Sequence, residues 1–311
     1  QEGQLWFNYT SSALKGYGLN AGVPLTSWAS GGSLNTTRPA GIVGAGSTTA
    51  ALGIAGYHNP PLTYRAIVEQ YDGSSWTEIA DVNTGRAWGA GGGSITNAII
   101  AGGSTGSNTN VTETWNGSSW TEVNDMNTSR RVLAGAFVDG ASKGMVFSGF
   151  TTTVVANSEV WDGSSWTEVS DLNNARYSNA GGSGSDTNAI CVGGEPTPRD
   201  YVETWDGTSW TEVAEINNAR GQGACSTQSP DARGTVLYFG GEPPPSLNAS
   251  TEVWNGSSWT EINDLSTARS GLGGNGTTSG TLAIAGGPPS ASGLLTEEWE
   301  SENAVATVTT S

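Results

Sequence analysis

Apolar residues in this chain come in short runs that end in glycine. Ala98-Ile99-Ile100-Ala101 precedes Gly102-Gly103, and Ala189-Ile190-Cys191-Val192 precedes Gly193-Gly194. Val236-Leu237-Tyr238-Phe239 and Leu282-Ala283-Ile284-Ala285 repeat the pattern before Gly240-Gly241 and Gly286-Gly287, and looser copies end at Gly56 and Gly149. Runs this short, bounded by glycine, read as hydrophobic strands. Downstream of each run the pattern changes to aromatic residues alternating with Thr and Glu around an Asn-Gly or Asp-Gly pair. That pair tolerates the positive φ angles of a tight turn, so each copy predicts a β-hairpin. Residues 113–122, Glu-Thr-Trp-Asn-Gly-Ser-Ser-Trp-Thr-Glu, return in nearly the same form at 69–78, 159–168, 203–212 and 252–261. Upstream of each apolar run lies a stretch of small residues, such as Ala90-Gly91-Gly92-Gly93 or Gly41-Ile42-Val43-Gly44. Small side chains suit strands whose backbones crowd around a central axis.

One repeat is thus a glycine-rich strand, an apolar strand, a variable loop and a tryptophan hairpin. Its period runs from 44 positions (Trp76 to Trp120) to 49 (Trp210 to Trp259). Four antiparallel strands at this period are expected to form one blade of a β-propeller. An arginine follows the second hairpin tryptophan at a constant offset of ten: Arg38, Arg86, Arg130, Arg176, Arg220 and Arg269. Six apolar runs predict six blades. The sixth has Glu297-Glu298-Trp299 but no Ser-Trp-Thr-Glu strand after it, whereas Thr26-Ser27-Trp28 stands alone, ten residues before Arg38. The N-terminal strand is therefore expected to complete the blade begun by the C-terminal segment. The propeller is assigned to residues 23–303, with residues 1–22 as an N-terminal hairpin or attachment segment and 304–311 as a C-terminal edge strand; the two end segments are expected to pair.

An apolar run ending in Gly-Gly, then an aromatic and a tryptophan, resembles the kelch repeat over roughly residues 26–300. The hairpin is shorter than in that family, with Trp115 and Trp120 only five positions apart. The segment Glu2-Gly3-Gln4-Leu5-Trp6-Phe7-Asn8 resembles a short hairpin module of tail-fibre and other virion-surface proteins of tailed phages. The Gly-Ser-Ser-Trp-Thr-Glu form of the repeat is similar to propellers encoded by marine phages. These resemblances imply a six-bladed, all-β kelch-like propeller exposed on a virion or otherwise extracellular. Its implied partners are a host-surface glycan or protein receptor, and other virion proteins through the terminal strands.

Glycine supplies 46 of 311 residues and charged side chains only 13%. The net charge of −17 leaves no basic stripe to displace the counterions of a nucleic acid. It equally disfavours an anionic membrane surface. No apolar run is long enough to insert in a bilayer as a helix. Gln1-Glu2-Gly3 shows no basic segment followed by an apolar core, so no signal peptide is expected there. Cys191 and Cys225 fall in neighbouring repeats and read either as a bridge or as two buried thiols.

Eleven of the thirteen tryptophans recur with the repeat and are expected in the core; Trp6 and Trp88 do not, and are the better candidates for any other role. The six arginines and six recurring glutamates (Glu69, Glu113, Glu159, Glu203, Glu252, Glu297) predict one buried ion pair per blade. Asp81, Asp125, Asp171, Glu215 and Asp264 are expected to fix the connection from each blade to the next.

Counting argues against catalysis. His58 is the only histidine, too few for a copper or zinc site of the usual composition. Only Arg65, Arg131, Arg199 and Arg233 lie outside the repeat, and no base stands beside a nucleophilic serine motif. A non-catalytic module without cofactor or metal is expected. Three functions remain open: a receptor-binding or decorating protein of a tailed phage, a secreted or cell-surface bacterial lectin or adhesin, and a carbohydrate-active enzyme working through paired carboxylates. Candidate ligand-binding residues sit in the loops between the second and third strands, where the repeat breaks down. They are Tyr57, His58, Tyr64 and Arg65 in the first blade, Glu195, Arg199, Asp200 and Tyr201 in the fourth, and Glu242 in the fifth.

Overall fold

A computed structural model describes residues 5–8, 13–17, 27–58, 61–177, 181–196, 200–243, 246–287, 292–301 and 305–308. Six four-stranded antiparallel sheets form the blades of a β-propeller. In blade 2 the strands run Ala90–Ser94, Asn97–Ala101, Thr112–Trp115 and Trp120–Val123, from the axis outward. Blades 1, 3, 4 and 5 repeat this order from Val43–Ser47, Ala134–Ala136, Gly181–Gly184 and Ala224–Cys225.

Blade 6 holds Gly273–Gly274, Gly280–Ile284 and Thr296–Glu300, and its outermost strand is Trp28–Ser30. The register pairs Trp299 with Trp28, as Trp115 pairs with Trp120 in blade 2. The ring thus closes by a strand taken from the other end of the chain. Outside it, Ala13–Tyr17 pairs with both Leu5–Asn8 and Val305–Val308, so the two ends also meet in a three-stranded sheet.

The core lies between the blades. Each of six buried clusters joins side chains of two neighbouring blades: Leu52, Ile54 and Val68 of blade 1 meet Ile100, Trp115 and Trp120 of blade 2, and so on to Ala51 and Trp76 against Leu282 and Ile284. Each blade therefore completes its neighbour, and a lone blade would expose both apolar faces. Cys191 and Cys225 are free, buried thiols. Burial pushes Cys191 up to about 11, which keeps it protonated and unreactive.

Glycine at the innermost strands follows from close approach. A Cβ on Gly44 would meet the Gly274 carbonyl at 2.4 Å, and one on Gly182 that of Gly135 at 2.3 Å. The Gly-Gly signature has a different cause. Its first residue adopts φ near +60°, which Ala55, Ser148 and Ala285 also accept. The second has φ from 97° (Gly286) to 116° (Gly149), where only glycine is at ease, and is glycine in every blade. In blade 6 the structural pair is therefore Ala285-Gly286, one position earlier than the sequence pattern suggests. From this bend Gly56, Gly103, Gly149, Gly194 and Gly241 each donate an N–H to the carbonyl of the arginine that follows their blade.

Candidate functional site

The recurring charges form a ring of buried pairs. Arg38–Glu69, Arg130–Glu159 and Arg176–Glu203 stand at 2.7, 2.6 and 3.0 Å, and Arg86–Glu113, Arg220–Glu252 and Arg269–Glu297 make the same contact. Every arginine comes from the connection entering a blade, and every glutamate from that blade's third strand. Desolvation pulls Arg38 down to about 10 despite the attraction of Glu69, still well above neutral pH. Five of the six glutamates also accept hydrogen bonds from an asparagine three residues before the arginine. The Asn127 backbone N–H and Nδ2 donate to Glu159 Oε2 at 2.7 and 2.9 Å, and Asn35, Asn83, Asn173 and Asn217 do the same for their glutamates. Ser266 takes this place in the last connection. The pairs are structural, and removing one partner would leave a buried charge, at about 3–5 kcal/mol.

Three of the acidic residues expected to fix the connections tie them to the blade just left. Asp81, Asp171 and Asp264 accept the backbone N–H of Val68, Ser158 and Thr251, at 3.3–3.4 Å, each within the blade the connection has just left. The asparagine makes the link to the next blade. Its offset from the arginine is constant in the sequence, so the signal was available.

On the face carrying the connections and the loops between second and third strands, one backbone frame repeats. The first loop residue pairs with a residue one or two positions after the connecting arginine: Tyr57 with Ala40, Ser104 with Ala87, Phe150 with Arg131, Glu195 with Tyr177, Glu242 with Gly221, and Gly287 with Ser270. Nearer the axis, left-handed residues join connection to connection. The Trp88 N–H donates to the Gly41 carbonyl at 3.1 Å, Val132 to Trp88 at 2.8 Å, Gly271 to Gln222 at 2.8 Å and Gly41 to Gly271 at 3.1 Å. All five have φ between 53° and 72°. For Trp88, Val132 and Gln222 that conformation costs about 1–2 kcal/mol relative to glycine.

Side chains on this frame differ from blade to blade. Over blades 1 and 2, Tyr57 lies 4.8 Å and Tyr64 6.2 Å from the Trp88 ring, and Ser104 Oγ contacts the Tyr64 hydroxyl at 3.4 Å. Within the loop that starts at Ser104, Asn108 accepts from Arg131 at 2.7 Å, and the Arg131 guanidinium lies 4.9 Å from the centre of the Phe150 ring. Tyr177 stacks near Phe150 at 5.6 Å and donates to Glu195 at 3.1 Å. Glu242 accepts from Gln222 and Ser270.

No protein-family model and no curated protein matches this chain.

Of the candidate residues named from sequence, Tyr57 and Tyr64 come together on Trp88, and His58 and Arg65 belong to the same hairpin. Glu195, Asp200 and Tyr201 belong to blade 4, across the axis of a six-fold ring, and Glu242 to blade 5. One small ligand does not span both groups. Arg199 lies outside the described residues. Trp88 stands out in the sequence as a tryptophan outside the repeat, but Phe150, Arg131 and Tyr177 are not among the sequence candidates, because nothing in the linear pattern shows that the connections and the loops share this frame.

Elsewhere the chemistry is sparse. Among the described residues no group of three or more His, Cys, Asp and Glu side chains could hold a metal. The axial space is about 70 Å³ and lined by glycines and small side chains. On the opposite face a shallow depression of about 520 Å³ is lined mainly by small residues such as Gly46, Ser94 and Gly276. None of the helices is long and apolar enough to cross a membrane, among the described residues.

Proposed function

We propose that this protein is a non-catalytic, kelch-like interaction module displayed on the surface of a tailed-phage particle, where it binds a host-surface glycan or protein receptor. One observation carries the recognition part of this reading. Six copies of the same backbone frame surround the axis on one face, and their side chains run from aromatic (Tyr57, Trp88, Phe150) through acidic (Glu195, Glu242) to small (Gly287, Gly271). A rigid scaffold with varied loop side chains is the general architecture of recognition surfaces. The opposite face carries five near-identical Asn/Asp-Gly turns and offers little to discriminate one ligand from another. The virion assignment rests on the likeness of residues 2–8 and of the repeat to phage proteins. The three-stranded sheet that joins the chain ends suits attachment.

Replacing Tyr64, Arg65, Arg199 and Tyr201 together should abolish binding to host cells while leaving thermal stability within about 1 kcal/mol of the parent, as for surface changes. Retained cell binding, or its loss on altering the turns at Asn116-Gly117 or Asp162-Gly163 instead, would move the recognition face to the other side. Immunogold labelling of purified particles tests the virion assignment: absence of label would place the module elsewhere, as a bacterial lectin or adhesin.

A further inference from the structure

Blade 6 breaks the pattern of the ring at one place on the turn face. In the other five blades the third and fourth strands are joined by an Asn-Gly or Asp-Gly turn, as residues 116–119 join Trp115 to Trp120. In blade 6 Trp299 and Trp28 pair in the same way, but no turn connects them. The chain runs on instead. Ser301 donates its N–H to the Ser279 carbonyl at 2.9 Å, which fixes its exit on the turn side of the ring. Beyond the ring, Leu5–Asn8, Ala13–Tyr17 and Val305–Val308 form the three-stranded sheet, with Ala13–Tyr17 in the centre. Among the described residues these strands pack on one another, and none packs substantially on a blade strand.

Residues directly opposite in antiparallel strands share a face, and faces alternate along each strand. The register therefore sorts this sheet into rows. Leu5, Gly16 and Ala306 form one row, and Phe7, Leu14 and Val308 form another on the same face. Trp6, Lys15 and Thr307 form the row between them, on the other face, where Asn8 also falls. One face is thus wholly apolar and the other mixed. A sheet of three short strands draws its stability from covering its apolar face. No blade strand does so, among the described residues. The three strands also carry Lys15 and no carboxylate, in a chain whose net charge is −17.

We propose that this apolar face pairs with the same face of a second copy of the chain, the two terminal sheets stacking into a small β-sandwich. Charge selects the occupant. A basic partner is drawn to the acidic ring and finds no carboxylate on these strands, while an acidic partner meets the repulsion of the whole molecule. A neutral apolar face is complementary to itself, as a two-fold contact requires. Strand spacing and rise give each face about 14 by 13 Å, and stacked sheets lie about 10 Å apart. That is the small end for a specific interface, so pairing is reversible, with half-association at about 10–100 μM. Because the chain leaves the ring on the turn side, pairing there keeps the loop face of each copy open. This goes beyond the recognition reading and does not depend on it.

The test is sedimentation velocity on the full chain across about 1–300 μM, in about 0.2 M salt to screen the repulsion between copies. The parent should pass from monomer to dimer over that range. Two substitutions at neighbouring positions of one strand separate the faces. Ala306→Glu puts a carboxylate in an apolar row and should weaken the dimer about tenfold or more. Thr307→Glu adds the same charge on the opposite face and should stay within about threefold of the parent. Neither touches the ring, so both should melt like the parent. A parent that stays monomeric throughout overturns the proposal and leaves the sheet to a different partner. It is equally overturned if Ala306→Glu dimerises like the parent, which puts the contact elsewhere, or if both substitutions weaken the dimer alike, which points to the sheet edge instead of this face.

Discussion

A single hydroxyl at the head of the third strand decides how each outer tryptophan is held. Thr112, Ser158, Thr251 and Thr296 accept the indole N–H of Trp166, Trp210, Trp28 and Trp76 from the following blade, at 2.9–3.1 Å. Blades 1 and 4 have Val68 and Val202 at this position. Facing Val202, Trp259 turns to the Ala214 carbonyl at 3.1 Å; facing Val68, Trp120 has no partner at all. A buried, unpaired donor costs about 1–3 kcal/mol. Val68→Thr should therefore be more stable than Val202→Thr by about 1 kcal/mol, since both add a buried hydroxyl and only the first completes a broken bond. Urea denaturation midpoints measure the difference. Equal midpoints would show that Trp120 is not held back by its missing acceptor.

At the scale of the hairpin, the turn residue sets a dependence on acid. Asp72 Oδ1 accepts the backbone N–H groups of Ser74 and Ser75 and the Ser74 hydroxyl, while Gly73 supplies φ of 95°. Asp162 and Asp206 repeat the arrangement, and all three carboxyls are held down at about 2 from an ordinary 3.8. For Asp72 and Asp162 the largest cause is the backbone N–H of Ser75 and Ser165; for Asp206 it is the Thr208 hydroxyl. A depressed folded value means that the folded state binds protons less readily than the unfolded chain. Their stabilising contribution is then complete above about pH 4 and fades as pH falls through about 2. Asn116 and Asn255 make the same turn without titrating. Replacing the three aspartates by asparagine should thus leave stability near neutral pH almost unchanged and flatten its decline between pH 4 and pH 2, read from thermal melts across that range. A variant that parallels the parent throughout would remove these turns from the acid response.

For the whole molecule, closure depends on one borrowed strand. Trp28 lies 5.7 Å from Trp299 and 4.9 Å from Phe239, and its indole reaches Thr251 of blade 5. Gly31 adds a backbone bond to Thr296 at 2.9 Å. Deleting residues 1–33 should cost at least what Trp28→Ala alone costs, about 3–5 kcal/mol for a buried tryptophan. It should also leave the strand Thr296–Glu300 with an open edge, which invites association. Calorimetry and light scattering on the truncated protein check both outcomes. A monomer melting at the parent temperature would mean that the ring closes without the swapped strand.

The sequence by itself determined the repeat, the strand order within each blade, the blade that lacks a strand and the segment that supplies it. It also determined the pairing of six arginines with six glutamates. These follow from local causes: alternation reports which side of a strand is buried, Asn-Gly reports a turn, and a constant Trp-to-Arg offset reports equal connections. Only the tertiary structure decided that the bend in blade 6 begins at Ala285, that Asp81 holds its own blade, and that Asn127 joins Arg130 on Glu159. It alone placed Trp88 beside Tyr57 and Tyr64. Those outcomes depend on how one blade's connection crosses the next blade's loop, a relation between residues far apart in the chain that no local periodicity encodes.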